Sequence, residues 1–227
     1  MGEDRSAYWS ETAEEALKLK HAYRVSAHTH YTWRGALNDL YRRLVDKGQV
    51  FIGGDSAGVS AGRLSLMVRN DRKVFRNGDF VMGFTSSFRM GQLLAFNFHP
   101  PTPRVGIDVM TYMVTDFIDA ARARMKEGGF ARIREGAEEG GSFLVGYSGR
   151  LFHISDDFQV GESSHGFDAC GCGDLIALGS LRSTREWTEP SARVKEALEC
   201  AEAFSAGVRA PFFLENTAAK VDERSAA

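Results

Sequence analysis

The chain has 227 residues, with 28 Lys and Arg against 30 Asp and Glu for a net charge of −2, and 43% of its residues are apolar. That balance excludes the basic excess of a nucleic-acid binder, and no apolar run approaches the roughly 20 residues that span a membrane. The acidic, polar start MGEDRSAYWSETAEEA does not read as a secretory signal, and three cysteines do not make a disulfide framework, so a reducing, cytoplasmic setting is expected.

Residues 1–46 read as a helical N-terminal extension. Ser10 or Thr12 can cap a helix running through Glu14, Leu17 and Tyr23, and Leu37, Leu40, Tyr41 and Leu44 recur at helical spacing. The turn between them, Ala27-His28-Thr29-His30-Tyr31, offers a His-x-His pair. Without a third ligand it reads as a linking turn, and no metal or cofactor is expected.

From residue 47 the texture changes, and residues 47–217 read as one α/β domain. Val50, Phe51 and Ile52 suggest a strand ending in Gly53-Gly54, where missing side chains let another backbone or a substrate come close. Asp55 stands at the strand tip. Lys73 opens the run Val74-Phe75, and Arg76-Asn77-Gly78-Asp79 turns the chain back into Phe80–Phe84, a hairpin signal. Asp55 and Lys73 have two readings. One is a partly exposed ion pair contributing about 0 to 1 kcal/mol. The other is an activating pair, in which the acid orients a lysine that activates a nucleophile.

Ser86 or Ser87 can cap a helix through Met90, Leu93, Leu94 and Phe98, ended by His99-Pro100-Pro101. A longer helix is expected from about Gly106 to Lys126, closed by Gly128-Gly129. Arg134–Gly141 reads as a loop, and Phe143–Tyr147, Ser148-Gly149 and Leu151–Ile154 as a second hairpin. Asp168-Ala169-Cys170-Gly171-Cys172-Gly173-Asp174 leads into a helix ending near Ser183, followed by a helix from Ser191 to about Ser205 and a strand, Pro211–Leu214. Residues 218–227 read as a flexible tail. His153 reads as a strand-face histidine, Cys200 as core, and Ser163-Ser164-His165 as a polar loop, since neighbours along a strand point apart. Helix pairs set between hairpins imply two sheets face to face with helices outside each, a four-layer αββα sandwich.

Gly53-Gly54-Asp55, Lys73-Val74, Val81-Met82-Gly83-Phe84, Gly146-Tyr147-Ser148-Gly149 and Gly171-Cys172-Gly173 stand in the order seen in the proteasome β-type subunit family, and most resemble its HslV branch. The resemblance runs from about Val45 to Asn216. It implies the fold of N-terminal-nucleophile hydrolases, a homo-oligomeric ring, an ATPase unfoldase partner and a peptide or unfolded-protein substrate. Such enzymes cleave with a threonine at their own first position, whose free α-amine, with a pKa of about 8, takes up the hydroxyl proton. The resemblance gives Asp55 and Lys73 catalytic positions, the backbone of Thr85 and Ser86 the oxyanion turn, and Cys172 the supporting place held by a serine in the family. The nucleophile itself has no counterpart, because no Thr, Ser or Cys lies between Thr32 and Asp55. The expectation is therefore a threonine-type peptidase domain or, as the alternative, a catalytically silent ring-forming scaffold. Three origins stay open: a pseudo-enzyme, a native threonine-led strand replaced through a wrong start or a recombination, and a processing event that exposes Thr29 or Thr32.

Overall fold

The computed structural model describes residues 48–60, 65–134 and 136–217. The expected N-terminal helices, the His28-x-His30 turn and the tail lie outside these residues. The description begins at a turn at Gly48 and enters β1 (Phe51–Gly54), β2 (Ala57–Ser60), β3 (Ser65–Val68), β4 (Val74–Asn77) and β5 (Phe80–Phe84). Helix α1 (Phe88–Gln92) follows and continues as a π-helical turn, Leu93–Asn97. Next, α2 (Val109–Tyr112) widens into a π-helical turn, Met113–Phe117, and resumes as α3 (Ile118–Glu127). The chain then forms β6 (Arg132–Arg134), β7 (Ala137–Glu139), β8 (Phe143–Tyr147), β9 (Arg150–Ile154) and β10 (Val160–Glu162). Helices α4 (Asp174–Ser183) and α5 (Pro190–Phe204) precede β11 (Phe213–Asn216).

One antiparallel sheet has the order β10-β9-β8-β5-β4, and β1 pairs with β11 in a separate ribbon. Alternation along β5 shows why these become layers. Phe80, Met82 and Phe84 join Phe143, Val145, Phe152 and Ile154 in a core against Met90, Leu94, Tyr112, Phe117 and Met125 of the first helices. Val81 points the other way and meets Val50, Ile52, Val74 and Leu144 in a second core between the sheets. Beyond the β1–β11 ribbon, α5 lies so close that a Cβ on Gly53 would sit 2.4 Å from Val194 and 2.9 Å from Leu198. The order of layers is helix, sheet, sheet, helix. The close approach that Gly53 permits is thus to a helix rather than to a substrate. Gly53→Val should cost about 1–3 kcal/mol through overpacking, read as a lower urea midpoint at unchanged slope.

Both expected hairpins form, with instructive detail. In the first, Asn77 pairs with Phe80, so the turn residues are Gly78, at φ 60°, and Asp79. Asn77 itself turns its amide to the carbonyls of Leu94 (3.1 Å) and Phe98 (2.8 Å), which holds the loosened end of the first helix. In the second, Ser148 (φ 49°) and Gly149 (φ 73°) form the left-handed two-residue turn that suits strand twist.

The long helix starts later than its apolar pattern suggested, because Asp108 caps it by accepting from Met110 N–H at 3.0 Å and Thr111 N–H at 3.1 Å. The stretch read as a loop, Arg134–Gly141, contributes to the β6–β7 hairpin, whose Arg132–Glu139 ion pair (3.1 Å) bridges paired residues. The β2–β3 hairpin, absent from the sequence reading, leaves Val59, Leu66, Met67 and Val68 exposed and buries Ala57; one small buried residue makes no alternation to find.

Candidate active site

Asp55 follows β1 directly and Lys73 precedes β4, so both stand at one end of the sandwich. Glycine at position 54 makes their meeting possible. A Cβ there would lie 2.9 Å from Val74 and 3.3 Å from the Lys73 Cβ, so any larger residue would push the lysine stem away. Lys73 Nζ donates to Asp55 Oδ1 at 2.7 Å, with both side chains largely buried at 15% and 13% exposure. The second carboxylate oxygen accepts from Ala57 N–H (2.8 Å) and Arg209 N–H (3.2 Å). Asp55 is thereby fixed by two separate segments of chain, and the ammonium is held by a carboxylate that cannot swing away. The surface-pair reading with little energetic weight does not describe this geometry.

The turn after β5 lies beside the pair. Phe84 N–H donates to the Lys73 carbonyl at 3.0 Å, tying strand and lysine together. Thr85 N–H donates to Ser142 O (3.2 Å), Ser87 N–H to Thr85 O (2.6 Å), and Ser142 N–H to Ser86 Oγ (3.2 Å). Ser86 takes the left-handed conformation at φ 63°, uncommon for a residue with a Cβ and a mark of a constrained turn. Gly171 completes the contact, since a Cβ on it would approach the Thr85 hydroxyl to 2.9 Å.

Asp55, Lys73, Thr85, Ser86 and Cys172 all line one cavity of about 880 Å3. The five positions named from sequence are therefore gathered in space. Cys172 is exposed with Gly207 against its side chain, and its carbonyl accepts from Ser205 Oγ at 3.2 Å. Cys170 lines the same cavity but packs onto the core between the sheets. Burial, with Asp168 and Asp174 adding to it, pushes its thiol up to about 12. Thiolate, not thiol, reacts with alkylating agents. Brief iodoacetamide treatment at pH 7.5 should therefore label Cys172 well before Cys170, as read by peptide mass.

The cavity also holds polar groups to which sequence reasoning gave no role at the site. His153 does sit on a strand face, as expected, but its Nδ1 lies 3.3 Å from Asp168 Oδ2. The alternation Leu151, His153 along β9 carried the signal for the histidine's side, and only the fold supplied its partner. Arg69 is stacked 3.9 Å over the Phe88 ring while two of its nitrogens each reach Asp71 at 2.7 Å. By contrast, Ser163-Ser164-His165 forms the expected polar loop, in which His165 N–H donates to Ser163 Oγ at 3.3 Å and the ring stacks on Phe167. Among the described residues no cluster of three or more His, Cys, Asp or Glu is placed to hold a metal, and no helix is long and apolar enough to cross a membrane.

No family model matches the chain, and no curated protein matches it. Solved structures do. BPH from Thiobacillus denitrificans aligns with 74% of this chain and 92% of its own at 21% identity and TM-score 0.60, and it has also been solved in complex with epoxomicin. This is the proteasome β-type, N-terminal-nucleophile hydrolase fold. HslV from Trypanosoma brucei shares it at 17% identity over 74% of this chain and 93% of its own, with TM-score 0.50. Anbu from Yersinia bercovieri shares it at 13% identity over 73% of this chain and 76% of its own, with TM-score 0.51. The proteasome-type fold explains why residues distant in sequence converge, because it stacks the ends of β1 and β4 beneath the turn after β5.

Proposed function

We propose that the chain is a subunit of a proteasome-type peptidase ring whose cleft is organised by Asp55 and Lys73. The observation that carries this reading is the 2.7 Å contact between them, inside a cavity shared with the Thr85-Ser86 turn and Cys172. A fixed ammonium at that place favours removal of a proton from a nearby hydroxyl and stabilises the alkoxide that attacks a peptide carbonyl. Because Thr85 N–H already donates to Ser142, the reading assigns the developing oxyanion to the N–H of Ser86. Cys172 takes a supporting place at the rim. The exposed apolar residues of the β2–β3 hairpin, Met67 at 64% and Val68 at 53%, support a subunit interface. A cytoplasmic setting, a peptide or unfolded-protein substrate and an ATPase unfoldase partner complete the reading.

A second reading has its own support in the missing Thr, Ser or Cys between Thr32 and Asp55. On that reading the subunit is a catalytically silent ring scaffold. Fluorogenic-peptide turnover, measured together with the N-terminal residue of the mature protein, separates the two. Turnover with a newly exposed Thr or Ser at the N-terminus is the peptidase result. An inert chain in a sedimenting ring is the scaffold result, and an inert monomer contradicts both. If turnover is found, Lys73→Ala should abolish it while leaving the circular dichroism spectrum intact; unchanged turnover would remove the lysine from the mechanism.

A further inference from the structure

The imidazole of His153 enters the cavity from the five-stranded sheet. Alternation along β9 sends Phe152 and Ile154 into the core against the first helices and turns Leu151 and His153 to the cavity. The cross-strand neighbours of His153 are Leu144 on β8 and Gly161 on β10, so neither flank offers the ring a polar side chain. Its partner comes instead from the segment ahead of α4, where Asp168 Oδ2 lies 3.3 Å from His153 Nδ1. Asp168 is itself fixed, because its Oδ1 accepts from Ala169 N–H at 2.7 Å.

An ionised carboxylate only accepts hydrogen bonds, so the hydrogen of this contact belongs to Nδ1. The neutral ring then carries its lone pair on Nε2. Both side chains line the cavity and keep part of their surface open, 27% for His153 and 22% for Asp168. Arg69 and Lys73, which line the same cavity, are each held at 2.7 Å by a carboxylate of their own, Asp71 and Asp55. The two cations therefore leave Asp168 to the histidine. A carboxylate behind an imidazole fixes its tautomer and stabilises the imidazolium that forms when the far nitrogen takes a proton.

We propose that Asp168 positions His153 as its Nδ1–H tautomer and so makes Nε2 a proton-accepting site in the cavity, one that takes the hydrogen of a hydroxyl group. The proton moves from that oxygen to Nε2, leaving an alkoxide and an imidazolium paired with the Asp168 carboxylate. The site depends neither on a free α-amine nor on the Asp55–Lys73 pair, so it stands or falls apart from the choice between peptidase and scaffold.

The test uses the full chain labelled with 13C,15N-histidine. Solid-state NMR of a frozen solution at about pH 8.5, where imidazole is ordinarily neutral, locates each ring hydrogen, and His153 is assigned as the signal lost in His153→Gln. The hydrogen should sit on Nδ1. In Asp168→Asn the amide oxygen remains the acceptor for Ala169 N–H, so the amide nitrogen turns to the ring as a donor and the ring hydrogen should move to Nε2. Diethyl pyrocarbonate, which reacts with the imidazole lone pair, gives a second readout by peptide mass. His153 should be modified in the unaltered chain and about fivefold more slowly in Asp168→Asn, while the exposed His165 reacts alike in both. A ring hydrogen on Nε2 in the unaltered chain, no modification of His153 under conditions that modify His165, or equal His153 rates in the two chains would each overturn the proposal. Should circular dichroism show that a variant fails to fold, the unaltered chain decides alone: modification of His153 supports the site, and its absence overturns it.

Discussion

Asp55→Ala is expected to lower the unfolding free energy by about 3–5 kcal/mol, seen as a large fall in the urea midpoint at unchanged slope. The carboxylate accepts from Lys73, Ala57 and Arg209. Its loss leaves an ammonium only 15% exposed without its counter-ion and strands two backbone donors in a part-buried site. The lysine should prove the larger part of the penalty. Asp55→Ala combined with Lys73→Met is therefore expected to recover part of the loss, because it removes the unpaired charge while keeping much of the lysine's bulk. A single-variant loss below about 1 kcal/mol would mean that the pair behaves as a solvated surface contact. The comparison also separates stability from mechanism, since a variant that folds normally and loses turnover speaks for chemistry at Lys73.

Phe117→Ala is expected to cost about 3–5 kcal/mol, observed as a fall in Tm of about 2–4 °C for each kcal/mol. Phe117 is fully buried and lies where the π-helical turn meets α3. Its ring stacks on Phe80 at 5.3 Å and meets Phe98 edge-on at 5.4 Å, while Tyr112 approaches it at 6.3 Å. These partners come from the sheet, from the chain beyond α1 and from α2, so none can follow the others into the space left behind. Phe117→Leu should lose markedly less because it retains much of the volume. Equal losses for the two variants would show that ring geometry outweighs volume.

How far the sequence could be read depended on whether a segment carries its own signal. Short, largely apolar runs at Phe80–Phe84, Phe143–Tyr147 and Leu151–Ile154 revealed the central sheet, and the glycine-bearing turns located both hairpins. The helices at Asp174–Ser183 and Pro190–Phe204 lay within a residue or so of their expected bounds, since the apolar pattern and Pro190 mark them locally. The β2–β3 and β6–β7 ribbons escaped because apolar residues such as Val59, Leu66, Met67, Val68 and Ile133 are exposed there, so no buried stripe repeats along the sequence. At the site, Asp55, Lys73, Thr85, Ser86 and Cys172 were found through the order of short motifs. The pairing of His153 with Asp168 and the stacking of Arg69 on Phe88 were not, because those contacts depend on how separate strands and loops come together rather than on sequence spacing.

The β1–β11 ribbon has a consequence for how the molecule comes apart. It joins the opening strand of the described domain to its last, and the clasp at its end, Val50 N–H to Thr217 Oγ1 at 2.9 Å, links positions 167 residues apart in sequence. Such a contact forms only after most of the polypeptide is already in place, and among the described residues the ribbon has two strands where its neighbour has five. It should therefore be the first layer to peel away under mild denaturant, baring Val81 and Leu144 while the larger sheet remains whole. A protease offered the protein under those conditions would trim it from its C-terminal end and leave a sticky, sheet-rich remnant.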